Sequence, residues 1–417
     1  MKAAALVRAG RTVEAEQAYI NSLRRGPEQA AIWSSYGQLL RTLGRIEEGI
    51  AASRRAINLA PSSGHLWWSL SDFKTFKFGP ADIAKIEAAF QDVHRHEAEE
   101  ALLHFALGKA LEDVGRTAES FRHYVQGNQL IKASTAYDPN LITGYVDAAE
   151  KTFSKLFAST SIGTGCAATD PIFLVGMPRS GSTLLEQMLG GHSQIEATME
   201  LPELLDIGEA LVSDLRELPA TLARLQAVDL ERLGRAYIDG TRRYRRTDKP
   251  LFVDKMPNNW MYIPLIHLIL PNARIVDIRR HPLDCSVSNF KQMFLNGQRF
   301  SNDLEWMGRY YADYVAFMRS IDQLLPGRVH RVMYEELVDS PEAEIRRLLG
   351  YVGVDFETEC LRFHEGERVV RTTSADQVRQ PINRQGIGSW HAYDPWLGPL
   401  KAALGEALNC YPQVPPA

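Results

Sequence analysis

The chain has 417 residues, of which 45% are hydrophobic and 24% charged. That is enough apolar material for several ordinary cores, and it excludes a disordered or fibrous polypeptide. A formal net charge of -4 gives no global attraction for nucleic acid or an anionic membrane, so any anion site must be built locally from a few placed cations.

The N-terminus, MKAAALVRAGRTVEAE, soon turns polar, and no apolar run approaches the roughly 18 residues needed to cross a bilayer. Four cysteines, Cys166, Cys285, Cys360 and Cys410, lack CxxC or Cys/His spacing, which points to reduced thiols and away from disulfides or a metal site. The expectation is a cytoplasmic protein without membrane or nucleic-acid partners, its oligomeric state left open. Its first helix starts inside a repeat pattern, which leaves room for further repeats upstream.

That pattern has a fixed period. Gly10 and Gly44, Ala18 and Ala52, Leu23 and Ile57, Pro27 and Pro61, and Trp33 and Trp67 are each 34 residues apart. A further copy follows at an offset of 71 from Gly37 to Gly108 and from Gly44 to Gly115, with LLHFALGKALEDVGRTAESFRHYVQGNQL as its helix pair. Small residues such as Gly37 and Ala52 let paired helices approach, and Pro27 and Pro61 end one pair before the next begins. The pattern resembles tetratricopeptide (TPR) repeats and predicts an all-α solenoid over residues 1–135. The resemblance implies a concave surface for a peptide or other extended chain; a solenoid that merely packs on the rest of the protein fits the sequence equally well. Residues 136–168 read as a connecting helix, LITGYVDAAEKTFSKLF, and a Ser/Thr/Gly-rich linker, leaving 169–417 as a second domain.

The second domain opens with PIFLVGMPRSGSTLLEQMLGGH. Ile172 to Val175 suit a buried parallel strand, and a Gly-containing loop then leads into a helix at Ser182 and Thr183. Backbone N–H groups and the positive end of the helix dipole converge there, so the loop is expected to hold a phosphate. Spelled as a Walker A motif, Gly176 to Thr183 keeps both glycines and the threonine but has Ser182 where the lysine belongs, and Arg179 offers a charge inside the loop. The missing lysine argues against ATP chemistry, in which it neutralises β- and γ-phosphate oxygens.

PRSGSTLL resembles the Pro-Arg-Ser-Gly-Thr-Thr-Leu loop of the sulfotransferase superfamily in its tyrosylprotein and carbohydrate branches. The resemblance implies an α/β P-loop-like domain with a central parallel sheet, and 3′-phosphoadenosine-5′-phosphosulfate (PAPS) as donor, bound by Arg179, Ser180, Gly181, Ser182 and Thr183. It implies a 3′-phosphate site at Arg280 and Ser288, eight apart in RRHPLDCSVS, a pattern similar to the family's Arg-x-Pro-x-Asp-x-x-x-Ser. Arg279 is the alternative register there, and a basic strand end paired with Asp277 or Asp284 is the non-functional reading. An Arg suits the role because its planar fork grips phosphate oxygens and stays charged.

Sulfuryl transfer needs a base for the acceptor hydroxyl and positive charge at the leaving oxygen. The tyrosylprotein branch keeps a catalytic glutamate 21 residues after the loop arginine, which falls on Glu200, although TMELP replaces the family's Gly-Glu-Glu-Thr-Arg. Glu203 is the alternative base, and burial beside Met199 and Leu201 is expected to raise the Glu200 pKa. Lys255 in LFVDKMPNN resembles the lysine that reaches the phosphosulfate bridge, so the catalytic set is Glu200, Lys255 and Arg179. Tyr334 resembles the tyrosine that meets the adenine. TTSADQVRQPINRQGIGSW resembles the loop that covers the cofactor, with Ser374 and Arg384 as contacts.

The expected activity is transfer of a sulfuryl group from PAPS to an acceptor hydroxyl, on a protein tyrosine or a glycan, leaving adenosine 3′,5′-bisphosphate and using no metal. A P-loop kinase of a small metabolite or nucleotide is the rival enzyme. A TPR scaffold with a decayed nucleotide-binding domain is the non-catalytic rival.

Overall fold

The structure, a computed structural model, describes residues 2–8, 11–26, 28–92, 96–159, 164–294, 297–366 and 376–413. Gly10, Pro27 and Ser374 lie outside these described residues. The chain divides into two compact units. The first comprises residues 1–136, 290–303 and 365–381; the second comprises 137–289, 304–364 and 382–417.

The first unit is helical: α1 Lys2–Arg8, α2 Thr12–Arg25, α3 Ala30–Thr42, α4 Ile46–Leu59, α5 Gly64–Ser71, α6 Pro80–Ala89, α7 Glu97–Asp113 and α8 Thr117–Ala133. The repeat is visible in the backbone. Arg11, Arg45 and Arg116, at the expected offsets of 34 and 71, precede α2, α4 and α8 with φ/ψ of -86/64, -87/66 and -83/60. Each pairs at 2.6 Å with a glutamate three residues on, Glu14, Glu48 or Glu119. Gly44 and Gly115 take the same left-handed conformation, φ 83 and 79. The close approach expected at Gly37 is present: a Cβ there would lie 2.9 Å from the Gly49 carbonyl oxygen and 2.7 Å from Ser53 Oγ.

An intervening copy, α5 and α6, begins 34 residues after α3 and α4 but is shorter, and both of its helices pack on α7. Trp67, Leu70, Phe73, Ile86, Leu103 and Leu107 fill the core there. Two later stretches also belong to this unit, which the sequence-based boundaries assign to the second domain. Asn128 Nδ2 donates to the Phe290 carbonyl at 2.8 Å, Lys291 pairs with Glu112 at 2.5 Å, and the Thr75 N–H donates to Asp376 at 2.8 Å.

The second unit is α/β. Its long first helix, α9 Leu141–Ser159, belongs to it and is not a free connector. Five strands follow: β1 Pro171–Gly176, β2 Ile195–Met199, β3 Leu251–Lys255, β4 Arg274–Arg279 and β5 Val329–Met333. They form one parallel sheet in the order β2-β3-β1-β4-β5. Parallel strands need crossovers, supplied by α10 Ser182–Gly190 after β1, α11 Glu203–Leu211, α12 Leu218–Leu222 and α13 Ala227–Thr241 after β2, α14 Ile263–Ile269 after β3, and α15 Pro282–Phe290 and α16 Leu304–Leu324 after β4. Every residue of β1 is buried, as strands covered on both faces require. Past β5 come α17 Tyr334–Asp339 and α18 Pro341–Val352.

The register decides where function can sit. Leu174 of β1 pairs with Lys255, Gly176 with Ile278, and Arg279 with Met333. The carboxyl ends of β1, β3, β4 and β5 therefore lie side by side, and the segments leaving them face one crevice, where open α/β sheets place their ligands.

Candidate active site

The loop after β1 turns on three left-handed residues: Gly176 at φ 139, Arg179 at φ 65 and Gly181 at φ 102. Side chains are excluded at both glycines, since a Cβ would meet the Ile278 carbonyl oxygen at 2.4 Å from Gly176 and the Tyr334 ring at 2.4 Å from Gly181. Helix α10 starts at Ser182, so its first backbone N–H groups have no intrahelical partners and point into the loop. Ser180 is fully buried, and its Oγ has no hydrogen-bond partner among the described residues. A buried hydroxyl left unsatisfied beside a helix start suits an anion.

Arg280, just beyond β4, donates from Nη1 to the Arg179 carbonyl at 2.8 Å and from Nη2 to the Gly386 carbonyl, while its buried Nε is unpartnered among the described residues. Its guanidinium lies 5.0 Å from the centre of the Tyr334 ring. Ser288, on α15, accepts from Arg179 Nε at 3.1 Å. The two arginines and Ser288 thus form one connected cluster with the loop. Arg279 does not join it, because strand alternation turns it into the core. There it pairs with Asp277 at 3.3 Å and lies over the Tyr314 ring. Of the two arginines, Arg280 is the one brought to the loop.

Tyr334, the first residue after β5, is seated over Gly181 and Arg280, and burial raises its phenol pKa, with Arg280 opposing. Asp284 pairs with neither arginine. It caps the C-terminal stretch instead, accepting from the N–H groups of Gly388 and Trp390 at 2.7 and 3.1 Å and from Ser389 Oγ at 2.9 Å. That anchoring holds the Gly386 carbonyl on Arg280. Arg384 is not brought to the loop; its guanidinium pairs with Asp339 on the surface.

Lys255, the last residue of β3, is buried, and its Nζ meets Glu200 Oε1 at 2.5 Å. Glu200 follows β2 directly, so the neighbouring strand ends bring the two together. The expected burial of Glu200 is absent: its side chain is 49% exposed, while Leu201 is fully buried. The pairing of β2 with β3 shifts between Ala197 and Met199, which turns the end of β2. Glu203 is buried in an ion pair with Arg243 at 2.6 Å, and Glu196 accepts the backbone N–H groups of Arg246 and Thr247. Among these carboxylates, only Glu200 is exposed and in contact with the Lys255 ammonium.

Residues 171–358 match the model of the sulfotransferase family. The matched segment contains the loop, Glu200, Lys255, Arg280, Ser288 and Tyr334, and stops short of Ser374 and Arg384. An uncharacterized protein of Aquifex aeolicus is 28% identical over 98% of this chain, which spans 54% of that protein's length. A putative protein-tyrosine sulfotransferase of Caenorhabditis briggsae is 24% identical over 52% of this chain and 80% of its own. The nodulation protein NoeE of Sinorhizobium fredii is 27% identical over 44% of this chain and 50% of its own. Among solved structures, the sulfotransferase domain from the curacin biosynthetic pathway aligns over 54% of this chain at 22% identity with a TM-score of 0.39, a loose superposition.

Two residues around the site escape a reading of the sequence. Asp254, buried next to Lys255 on β3, looks like any strand aspartate. Asn289 sits beside Ser288 with nothing in its surroundings to single it out.

Proposed function

We propose that this chain is a PAPS-dependent sulfotransferase acting on an acceptor hydroxyl. The observation that carries the reading is the convergence, at adjacent carboxyl ends of one parallel sheet, of a phosphate loop without a Walker lysine, a buried lysine and an Arg/Ser pair. Ser180 Oγ, the α10 N-terminus and Arg179 would hold the 5′ end of the donor, Arg280 and Ser288 the 3′-phosphate, and Tyr334 the adenine. Ser374 belongs to the proposed donor contacts as well, and Arg384 would have to leave Asp339 to join them. PAPS supplies a sulfate on a phosphate leaving group.

In the proposed reaction Glu200 accepts the acceptor's proton as the hydroxyl oxygen bonds to sulfur. The sulfur–oxygen bond to the 5′-phosphate breaks, and Lys255 and Arg179 stabilise the electron pair left on the phosphate oxygen. Before a donor arrives Lys255 is held by Glu200, so the same contact that orients the lysine keeps the base beside it. The acceptor is proposed to be a protein tyrosine or a glycan, a choice supported by the spacing of Glu200 and by the tyrosylprotein relatives. The first unit is proposed to be a TPR array that presents an extended acceptor, supported by the recurring Arg/Glu and glycine positions. Four free cysteines support a reducing, cytoplasmic setting.

A thermal-shift assay separates this reading from a kinase. Adenosine 3′,5′-bisphosphate at about 100 times its Kd should contribute about 2.7 kcal/mol to stability and raise the melting temperature, and ATP with magnesium should not. The reverse pattern overturns the sulfotransferase reading.

A further inference from the structure

Arg179 holds a left-handed backbone at φ 65, a conformation that costs a non-glycine residue about 1–3 kcal/mol and persists only where its surroundings enforce it. Both peptide groups that flank it are gripped. The Arg179 carbonyl accepts from Arg280, as described, and the Pro178 carbonyl before it accepts from Asn289 Nδ2 at 2.7 Å and from Cys285 Sγ at 3.3 Å. Asn289 is fully buried on α15, and the same Nδ2 also donates to the Cys285 carbonyl one turn earlier at 2.9 Å. Burial pushes the Cys285 thiol up to about 12, so its S–H remains a donor at any physiological pH.

These bonds tie the loop to the very helix that carries Ser288. An amide at position 289 has no other side chain to serve: the polar contacts of its Nδ2 are to Pro178 and to its own helix, and its Oδ1 is unpartnered among the described residues. A buried amide is costly to keep unless its donor matters, because burying a polar group carries a desolvation penalty that a leucine of similar size would not incur.

We infer that Asn289 is a positioning residue for the loop, fixing the Pro178–Arg179 peptide in the conformation that aims Ser180, Gly181 and the α10 N-terminus at the donor's 5′ group, an inference that rests on the donor site proposed above. Its effect falls chiefly on the 5′ end. At the 3′ end Arg280 bonds the Arg179 carbonyl of the loop but has a second anchor outside it, the Gly386 carbonyl, and Ser288 is carried by α15 itself.

The two ends can be read separately by calorimetry with adenosine 3′,5′-bisphosphate and adenosine 3′-monophosphate. Asn289→Leu and Asn289→Asp, both close to isosteric, should weaken the bisphosphate about 10-fold and change the 3′-monophosphate by less than about 2-fold, closing most of the gap between the two ligands seen in the wild type. Cys285→Ala, which removes the longer bond, should have a smaller effect in the same direction. Equal losses for both ligands, or no loss for either, overturn the positioning role; melting curves of each variant identify a fold defect, which would appear as equal losses. If the wild-type protein binds the bisphosphate no better than the monophosphate, the proposed donor site itself fails, and the two failures are distinct.

Discussion

Next to Lys255 on β3, Asp254 should make the folded protein progressively less stable as the pH rises toward neutrality. The carboxyl is fully buried one residue before Lys255, with Tyr237 Oη donating to Oδ2 at 2.8 Å and the Leu201 N–H reaching Oδ1 at 3.4 Å. Burial pushes it up to about 7; Tyr237 and the Leu201 N–H oppose the shift, Glu203 adds to it, and Lys255 lowers it slightly. In the unfolded chain the same group titrates near 3.9. Between about pH 4 and pH 7 the unfolded chain has released this proton and the folded chain retains it. Stability therefore falls as pH rises through that window, by about 1.4 kcal/mol per unit and roughly 4 kcal/mol in all, and the cost is complete above about pH 7. Asp254→Asn removes the titration while leaving an oxygen to accept from Tyr237. Urea unfolding of both proteins at half-unit steps from pH 5 to 8 should show the variant gaining on the wild type by about 1.4 kcal/mol per unit up to pH 7 and levelling off beyond. Parallel curves, or a wild type that gains on the variant as pH rises, would refute the reasoning and mean that Asp254 is an anion in the folded protein.

Two further outcomes follow from the same geometry. Glu200→Ala should lower turnover at least about 100-fold, the scale of a lost general base, while calorimetry finds adenosine 3′,5′-bisphosphate binding within about 2-fold; matched losses in both would make Glu200 a structural partner of Lys255. Gly181→Ala places a Cβ 2.4 Å from the Tyr334 ring at φ 102, which should cost about 1–3 kcal/mol and lower the melting temperature by several degrees in differential scanning calorimetry. An unchanged melting temperature there counts against the seating of Tyr334 on the loop.

How much was legible beforehand follows from how local each signal is. The loop, its strand and its helix are encoded within a dozen neighbouring residues, so Gly176, Gly181 and the helix start at Ser182 fall where the pattern puts them. The same holds for Lys255 at the end of β3 and for Arg280 just past β4. Period-34 spacing marks α2 to α5, the last through Trp67, and the offset of 71 marks the α7/α8 pair. It passes over α6, a shortened helix that keeps the spacing but lacks the marker residues. What failed depends on contacts between distant segments. The exposure of Glu200 is set by the shift between Ala197 and Met199, which no composition around TMELP reveals. The described parts of residues 290–303 and 365–381 carry little regular structure, so hydrophobic periodicity does not assign them to the helical unit to which Asn128 and Thr75 bond them. Arg384 matches the cofactor segment only loosely, and the residue that holds it, Asp339, lies 45 residues earlier, outside any local motif.

Arg279 and Arg280 show why so little sequence suffices to build the proposed anion site in a chain of net negative charge. They are adjacent, yet alternation along β4 sends the first inward, where Asp277 at 3.3 Å offsets its charge, and releases the second past the strand end. The hydrogen bonds of Arg280 go to the carbonyl oxygens of Arg179 and Gly386. Carbonyls orient a guanidinium without cancelling its charge, whereas a carboxylate would do both. The nearby carboxylate that could have neutralised it, Asp284, is committed to the N–H groups of Gly388 and Trp390. Its negative charge thus holds the strap that supplies the Gly386 carbonyl and leaves the arginine fork positive. Replacing the Asp284 caps with a direct Asp284–Arg280 pair would keep every charge in the chain and neutralise the fork, so placement on the sheet, rather than net charge, is what suits this crevice to the doubly phosphorylated nucleoside proposed for it.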